Sequence, residues 1–247
     1  MKLGVCGCSF MSAISGNSSQ GFAGGHFTEM LAGKLGWDYI NLSRGACSNS
    51  VIRLQVEEII KSKPDLVMLG TTTQNRLEFP IKEKTYDDTI GLYNIDYIAH
   101  KSDSSSSDIR FNSPTMVSDT LNNIINRDDI SNNFISKEHI VAINYYFKHL
   151  FDSSFRGQQD SWIIHSSISL LQESNIPFVL ILQPSMDRYI QFQKSSKSIV
   201  SIPELWPWKY YDPLSMRRWH TSDESQRKLA DMWFTYLTEN NLIKGQK

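Results

Sequence analysis

The chain has 247 residues, a formal net charge of −1, and 40% hydrophobic residues. That is enough apolar material for the core of one α/β domain, and the near-neutral balance argues against non-specific nucleic-acid binding, which needs a basic face. No apolar run approaches the roughly 18 residues of a membrane-crossing helix, so no membrane partner is expected.

Leu3 to Gly7 is a short apolar run ending in glycine and reads as a buried strand. After Gly7 the sequence turns polar with no long apolar stretch or small-residue cleavage site, so no signal peptide is read and a cytoplasmic location is expected, unless the chain travels in a particle (virion-associated). Cys8 to Gly25 is rich in Ser, Gly and Asn, as a loop is. His26 to Leu35 carries Phe27, Met30, Leu31 and Leu35 at helical spacing, and Gly36 ends it. Tyr39 to Leu42 reads as a second strand, Ser43 to Ser50 as a polar turn, and Val51 to Ile60 as a second helix ended by Pro64. Asp65 to Gly70 reads as a third buried strand. Strand, helix, strand, helix, strand predicts βαβ units and a parallel sheet covered by helices. The strands are continuously apolar, as strands buried on both faces are.

From about Thr71 to Ser136 no clean period holds, and Ser102 to Asp108 is of low complexity and reads as mobile. The stretch is taken as an irregular insertion in a single domain spanning 1–247. Lys137 to Phe151 and Ser161 to Leu171 return to helical spacing, Ile176 to Leu182 reads as a fourth buried strand, and Ser222 to Leu237 as the final helix. The expected architecture is a three-layer α/β/α sandwich around a parallel, flavodoxin-like sheet of about five strands. The three cysteines, Cys6, Cys8 and Cys47, are too few and too unevenly spaced for a disulfide framework or a metal site. They read as small buried thiols.

Sites in open parallel sheets form beyond the carboxyl ends of the strands. Gly7-Cys8-Ser9-Phe10 follows the first strand, Ser43 to Asn49 the second, and Gly70 to Arg76 the third, while Trp219-His220-Thr221-Ser222 precedes the last helix. Together they offer a hydroxyl, backbone N–H groups in glycine turns, side-chain donors and an imidazole, the inventory of acyl transfer.

In this order and at these strand ends, the four segments resemble the sequence blocks of the SGNH (GDSL-like) hydrolases, and in particular their divergent phage-like branch, over about residues 1–80 and 205–240. Ser9 stands for the serine of the first block, although Cys8 replaces its usual aspartate. Gly45 stands for the glycine of the second. The third reads Gly70-Thr71-Thr72-Thr73 and lacks the oxyanion-hole asparagine. In the fourth, His220 is present, Arg217 stands where an aspartate is usual, and Thr221 replaces a proline.

The resemblance implies Ser9 as nucleophile and His220 as its base. It implies an oxyanion hole of the Ser9 and Gly45 N–H groups, with a Thr72 or Thr73 hydroxyl in place of the asparagine. Asp212 is the choice for the acid that orients His220, over Asp187 and Asp223, and a backbone carbonyl is the alternative. Asn49 and Arg76 are candidates for substrate polar groups. Each has a plainer reading: Ser9 as a turn residue, His220 as a helix cap, Asp212 as a cap before Pro213, the threonines as a β-branched strand end, and Arg76 as a surface ion pair. The remaining histidines, His26 among them, have no partner motif. Trp206, Trp208 and Trp219 read either as a pocket wall for sugars or as loop packing. The expected activity is hydrolysis of small acyl esters, with an acetylated glycan as one substrate class and no metal or organic cofactor. The rival expectation is a catalytically degenerate scaffold that binds glycans or serves in a virion. A nucleotide-binding domain has no Gly-x-Gly-x-x-Gly or P-loop to support it.

Overall fold

A computed structural model describes residues 1–8, 10–11, 25–43, 48–74, 77–80, 116–119, 137–186, 199–200, 203–212 and 220–243. In chain order the strands and helices are β1 (Lys2–Cys6), α1 (Phe27–Leu35), β2 (Asp38–Asn41), α2 (Asn49–Lys61), β3 (Leu66–Gly70), β4 (Leu77–Pro80), β5 (Met116–Asp119), α3 (Lys137–His149), α4 (Ser153–Glu173), β6 (Phe178–Ile181), β7 (Ile199–Val200), β8 (Tyr211–Asp212), β9 (His220–Thr221) and α5 (Asp223–Glu239). β2, β1, β3, β6 and β7 form one sheet in that order, every pair parallel. The expected α/β/α architecture and strand number are therefore present.

Alternation along the strands divides the core into two layers. Val67 and Leu69 of β3 and Leu180 of β6 pack on one side with Val51, Ile52, Val56 and Ile59 of α2 and Ile164, Ile168 and Leu171 of α4. Leu3 and Val5 of β1, Leu66 and Met68 of β3, and Val179 and Ile181 of β6 pack on the other. There they meet Phe27, Leu31 and Leu35 of α1 and Leu229, Trp233 and Leu237 of α5.

Local chemistry sets the boundaries. Gly36 takes φ 67°, and Trp37 N–H bonds Ala32 O at 3.0 Å, closing α1 in a left-handed turn. Ser48, Asp152 and Ser222 cap α2, α4 and α5 by accepting from Val51, Phe155 and Ser225 N–H. The cap at Asp152 splits the helical stretch after Lys137 in two, so α4 begins eight residues before Ser161. In α3 the helical period holds, but Val141 is exposed, as is Leu150 just beyond its end.

Two features depart from the sequence reading. The stretch from Thr71 to Ser136 contains regular structure, because β4 and β5 pair antiparallel from Leu77↔Asp119 to Pro80↔Met116. The fifth strand, β7, is two residues long, too short to leave a period. Ser102 to Asp108 lies outside the described residues.

Candidate active site

The strand order runs from β1 outward to β2 and then back past β1 to β3, so the switch point of this sheet lies between β1 and β3. In open parallel sheets the connections on either side of such a point leave in opposite directions, and sites form in the crevice between them. The first and third candidate segments leave the sheet at this point.

Cys6 pairs with Leu69, and the chain continues into Gly7 and Gly70. Both glycines abut the fully buried Met11: an added Cβ would lie 2.5 Å from Met11 Cγ at either position, and at Gly7 also 3.1 Å from Gly70 O. The Met11 side chain, packed against both strand ends, leaves no room for a Cβ at either position. Met11 N–H donates to Cys8 O at 2.9 Å, and Phe10 beside it is in a turn. Ser9, the expected nucleophile, lies outside the described residues, as do Gly45, Arg76, Asp187, Arg217 and Trp219.

What surrounds that turn is well defined. Gln55 of α2 is fully buried. Its Oε1 accepts from Gly7 N–H at 2.7 Å and its Nε2 donates to Gly7 O at 3.2 Å. α2 lies close enough for this because Gly4 has no side chain: a Cβ there would lie 2.7 Å from Ile59 Cδ1. On the far side, Asn41 Nδ2 donates to Met11 O at 2.8 Å and to Tyr39 Oη at 2.7 Å, while its Oδ1 accepts from Ser43 N–H at 2.8 Å.

His26, read from the sequence as lacking a partner, is buried and caps α1. Its Nε2 lies 3.1 Å from Phe10 O and its Nδ1 2.7 Å from Thr28 Oγ1. A carbonyl only accepts, so Nε2 carries the hydrogen and Nδ1 is the acceptor. Thr28 Oγ1 is also 2.7 Å from Tyr39 Oη. A chain of donors therefore runs from Asn41 through Tyr39 and Thr28 to His26 and ends on Phe10 O. Burial pushes the Tyr39 phenol well above its ordinary pKa, and that of the Cys6 thiol likewise, so both stay neutral.

The three threonines after β3 differ in environment. Thr71 belongs to the sheet: its N–H donates to Ile181 O at 3.0 Å, and its Oγ1 accepts from Gln183 N–H at 2.8 Å. Thr72 is buried, and Asn49 grips its backbone at both ends, with Oδ1 accepting from Thr72 N–H at 2.9 Å and Nδ2 donating to Thr72 O at 3.1 Å. The same Nδ2 donates to Asp160 Oδ2 at 2.9 Å, and Asp160 pairs with Arg156 Nε at 3.1 Å. Asn49 thus has both amide hydrogens committed within the fold. Thr73 is half-buried.

The fourth segment is a two-residue antiparallel ladder, in which β8 and β9 pair Tyr211↔Thr221 and Asp212↔His220. The backbone thereby sets the expected base directly opposite the residue chosen to orient it. Buried Gln226 of α5 ties this ladder to α1, donating from Nε2 to Thr221 Oγ1 and accepting from Phe27 N–H at 2.7 Å. Trp206 packs against the α1–α5 core layer.

No family model matches the sequence, and no curated protein matches it. In three dimensions the chain is similar to a G-D-S-L family protein described as lipolytic, from Desulfitobacterium hafniense DCB-2. The TM-score is 0.50 at 10% identity, over 96% of this chain and 99% of that one. The chain has the fold of a G-D-S-L family protein. Also similar are the acetyl xylan esterase of the rumen bacterium Butyrivibrio proteoclasticus, with TM-score 0.46, 12% identity and 98% and 65% of the two chains covered, and an acetylxylan esterase of Geobacillus stearothermophilus, with 0.32, 13%, 96% and 93%. At such identities the likeness is one of fold, and the chemistry has to be argued from the residues.

Proposed function

We propose that this chain is a serine esterase of the SGNH type. The observation that carries the reading is the convergence at the switch point: Gly7–Cys8, directly before Ser9 in sequence, and Thr72–Thr73 leave adjacent parallel strands in a G-D-S-L fold, with the backbones of Gly7 and Thr72 held by side-chain amides. Ser9 attacks the ester carbonyl and His220 takes its proton. Asp212 holds the imidazolium, an assignment supported by its register opposite His220. The oxyanion rests on the Ser9 and Gly45 N–H groups and a threonine hydroxyl, for which half-buried Thr73 is better exposed than Thr72. The acid-stabilised His220 then protonates the leaving alcohol, and water hydrolyses the acyl-enzyme.

Arg76 is assigned to substrate polar groups, and Asn49 to holding Thr72 in place. The substrate class is a small acyl ester, with an acetyl group on a glycan as the natural case. Hydrolysis of p-nitrophenyl acetate by the wild type and by Ser9→Ala tests the reading. Turnover lost in Ser9→Ala is the expected result. Equal background rates in both would overturn it in favour of a non-catalytic, glycan-binding scaffold, to be tested on glycan arrays.

A further inference from the structure

Four side-chain amides brace the four segments: Gln55 at Gly7, Asn41 at Met11 and Ser43, Asn49 at Thr72, and Gln226 at Thr221. Gln55, Asn49 and Gln226 are all buried. Resting on the esterase reading above, we propose that these amides are positioning residues for ester hydrolysis, and that Gln55 is the one that fixes Gly7, two residues before Ser9.

The physical argument begins where the sheet ends. Within the sheet, β1 is held by ladder bonds to β2 and β3. Past Cys6 the paired register with β3 ends, and Gly7, with no side chain, has little of its own to fix its peptide planes. Gln55 meets both the N–H and the C=O of this one residue, as a neighbouring strand would. Asn49 does the same for Thr72. Helix α2 therefore extends the ladder on two strands at once, through residues on its buried face. An amide suits the task because it carries donor and acceptor together without charge. The braces hold geometry at any working pH and leave the field around the reacting serine and imidazole unchanged. Geometry at this level matters because a displacement of about 1 Å can cost on the order of 100-fold in rate.

Gln55→Glu gives a test that separates positioning from bulk stability. A neutral carboxyl also carries one donor and one acceptor and reproduces both bonds to Gly7. The ionised form has only acceptors and repels Gly7 O. Burial raises the pKa of the introduced carboxyl, so the variant is competent at lower pH and loses its clamp as pH rises. kcat for p-nitrophenyl acetate is measured across pH, with circular dichroism confirming the folded state at each point. We expect a descending alkaline limb of about 10- to 100-fold that the wild type lacks, with KM within about threefold.

Gln55→Met removes both bonds at similar length and should lower kcat by the same factor at every pH. Trp233→Phe, in the opposite core layer, should lose thermal stability and keep kcat. Superimposable kcat–pH profiles for wild type and Gln55→Glu, with Gln55→Met at wild-type kcat, would overturn the proposal while leaving the esterase reading intact. Wild-type hydrolysis that survives Ser9→Ala would remove the reading itself and the proposal with it.

Discussion

Asn49→Ala isolates the energetic cost of one brace. The substitution strands the Thr72 N–H and C=O in a buried setting and takes a hydrogen-bond donor from Asp160, which is 0% exposed. Leaving a buried polar group unpaired costs about 1–3 kcal/mol, and a bond to a charged group contributes about 1.5–3 kcal/mol. Allowing for water that enters the small cavity, the loss should be about 3–6 kcal/mol, a large share of the ~5–15 kcal/mol that holds a domain together. For a chain of this size each kcal/mol moves the midpoint by roughly 2–4 °C, so a fall of about 6–24 °C is expected by scanning calorimetry.

Asn49→Asp sharpens the prediction. It keeps the acceptor for Thr72 N–H but turns a carboxylate toward Thr72 O and Asp160. At neutral pH it should be less stable than Asn49→Ala, and it should recover as the solution is acidified and the new carboxyl gains a proton. A loss under 1 kcal/mol in Asn49→Ala, or an aspartate variant more stable than the alanine one at pH 7, would refute the account of this network.

Gly70→Ala drives a Cβ to 2.5 Å from Met11 Cγ and should cost about 1–3 kcal/mol by urea denaturation. Adding Met11→Ala should return part of that loss, so the double-mutant cycle should show coupling, whereas additive losses would count against the shared contact. Tyr39→Phe should lower stability at pH 7 by about 1–2 kcal/mol through the partners left on Thr28 and Asn41. The folded-state pKa of Tyr39 is raised from 10.0, so its contribution is complete below that pH and is lost as pH climbs toward the folded value. Unfolding free energy measured from pH 9 to 11 should therefore fall less steeply in Tyr39→Phe than in the wild type, and parallel slopes would refute this.

The sheet and its covering helices were legible because burial on both faces writes continuous apolar runs at Leu3–Gly7, Asp65–Gly70 and Ile176–Leu182, and because glycine and serine mark the helix ends. Other elements have no local signature. β7 spans two residues, and β4 pairs with β5 across 35 intervening residues, a contact that no window of sequence reveals. The candidate segments were legible as strand ends, while what holds them was not read. A signal did exist. Gln55 lies on the same helical stripe as Val51, Ile52, Val56 and Ile59, and Gln226 stands three and seven residues before Leu229 and Trp233. A polar residue inside an apolar stripe announces a buried partner, although its identity, Gly7 or Thr221, comes only from the fold. His26 gave no such sign: it stands at the start of α1 rather than inside an apolar stripe, and its bond to Phe10 O comes only from the fold.

The bond from Phe27 N–H to Gln226 Oε1 joins residues 199 positions apart, and α5 covers the face of α1 that carries Phe27, Leu31 and Leu35. That wiring has a kinetic consequence. A native state in which α1 is completed by α5 depends on contacts of high sequence separation, and such chains pay loop-closure entropy before their contacts form. During synthesis the part of the apolar stripe of α1 which α5 covers stays open until the sequence has grown past residue 237. Folding should accordingly be slow and late, and a chain cut short before Ser222 should display that stripe to aggregation or to a chaperone instead of closing over it.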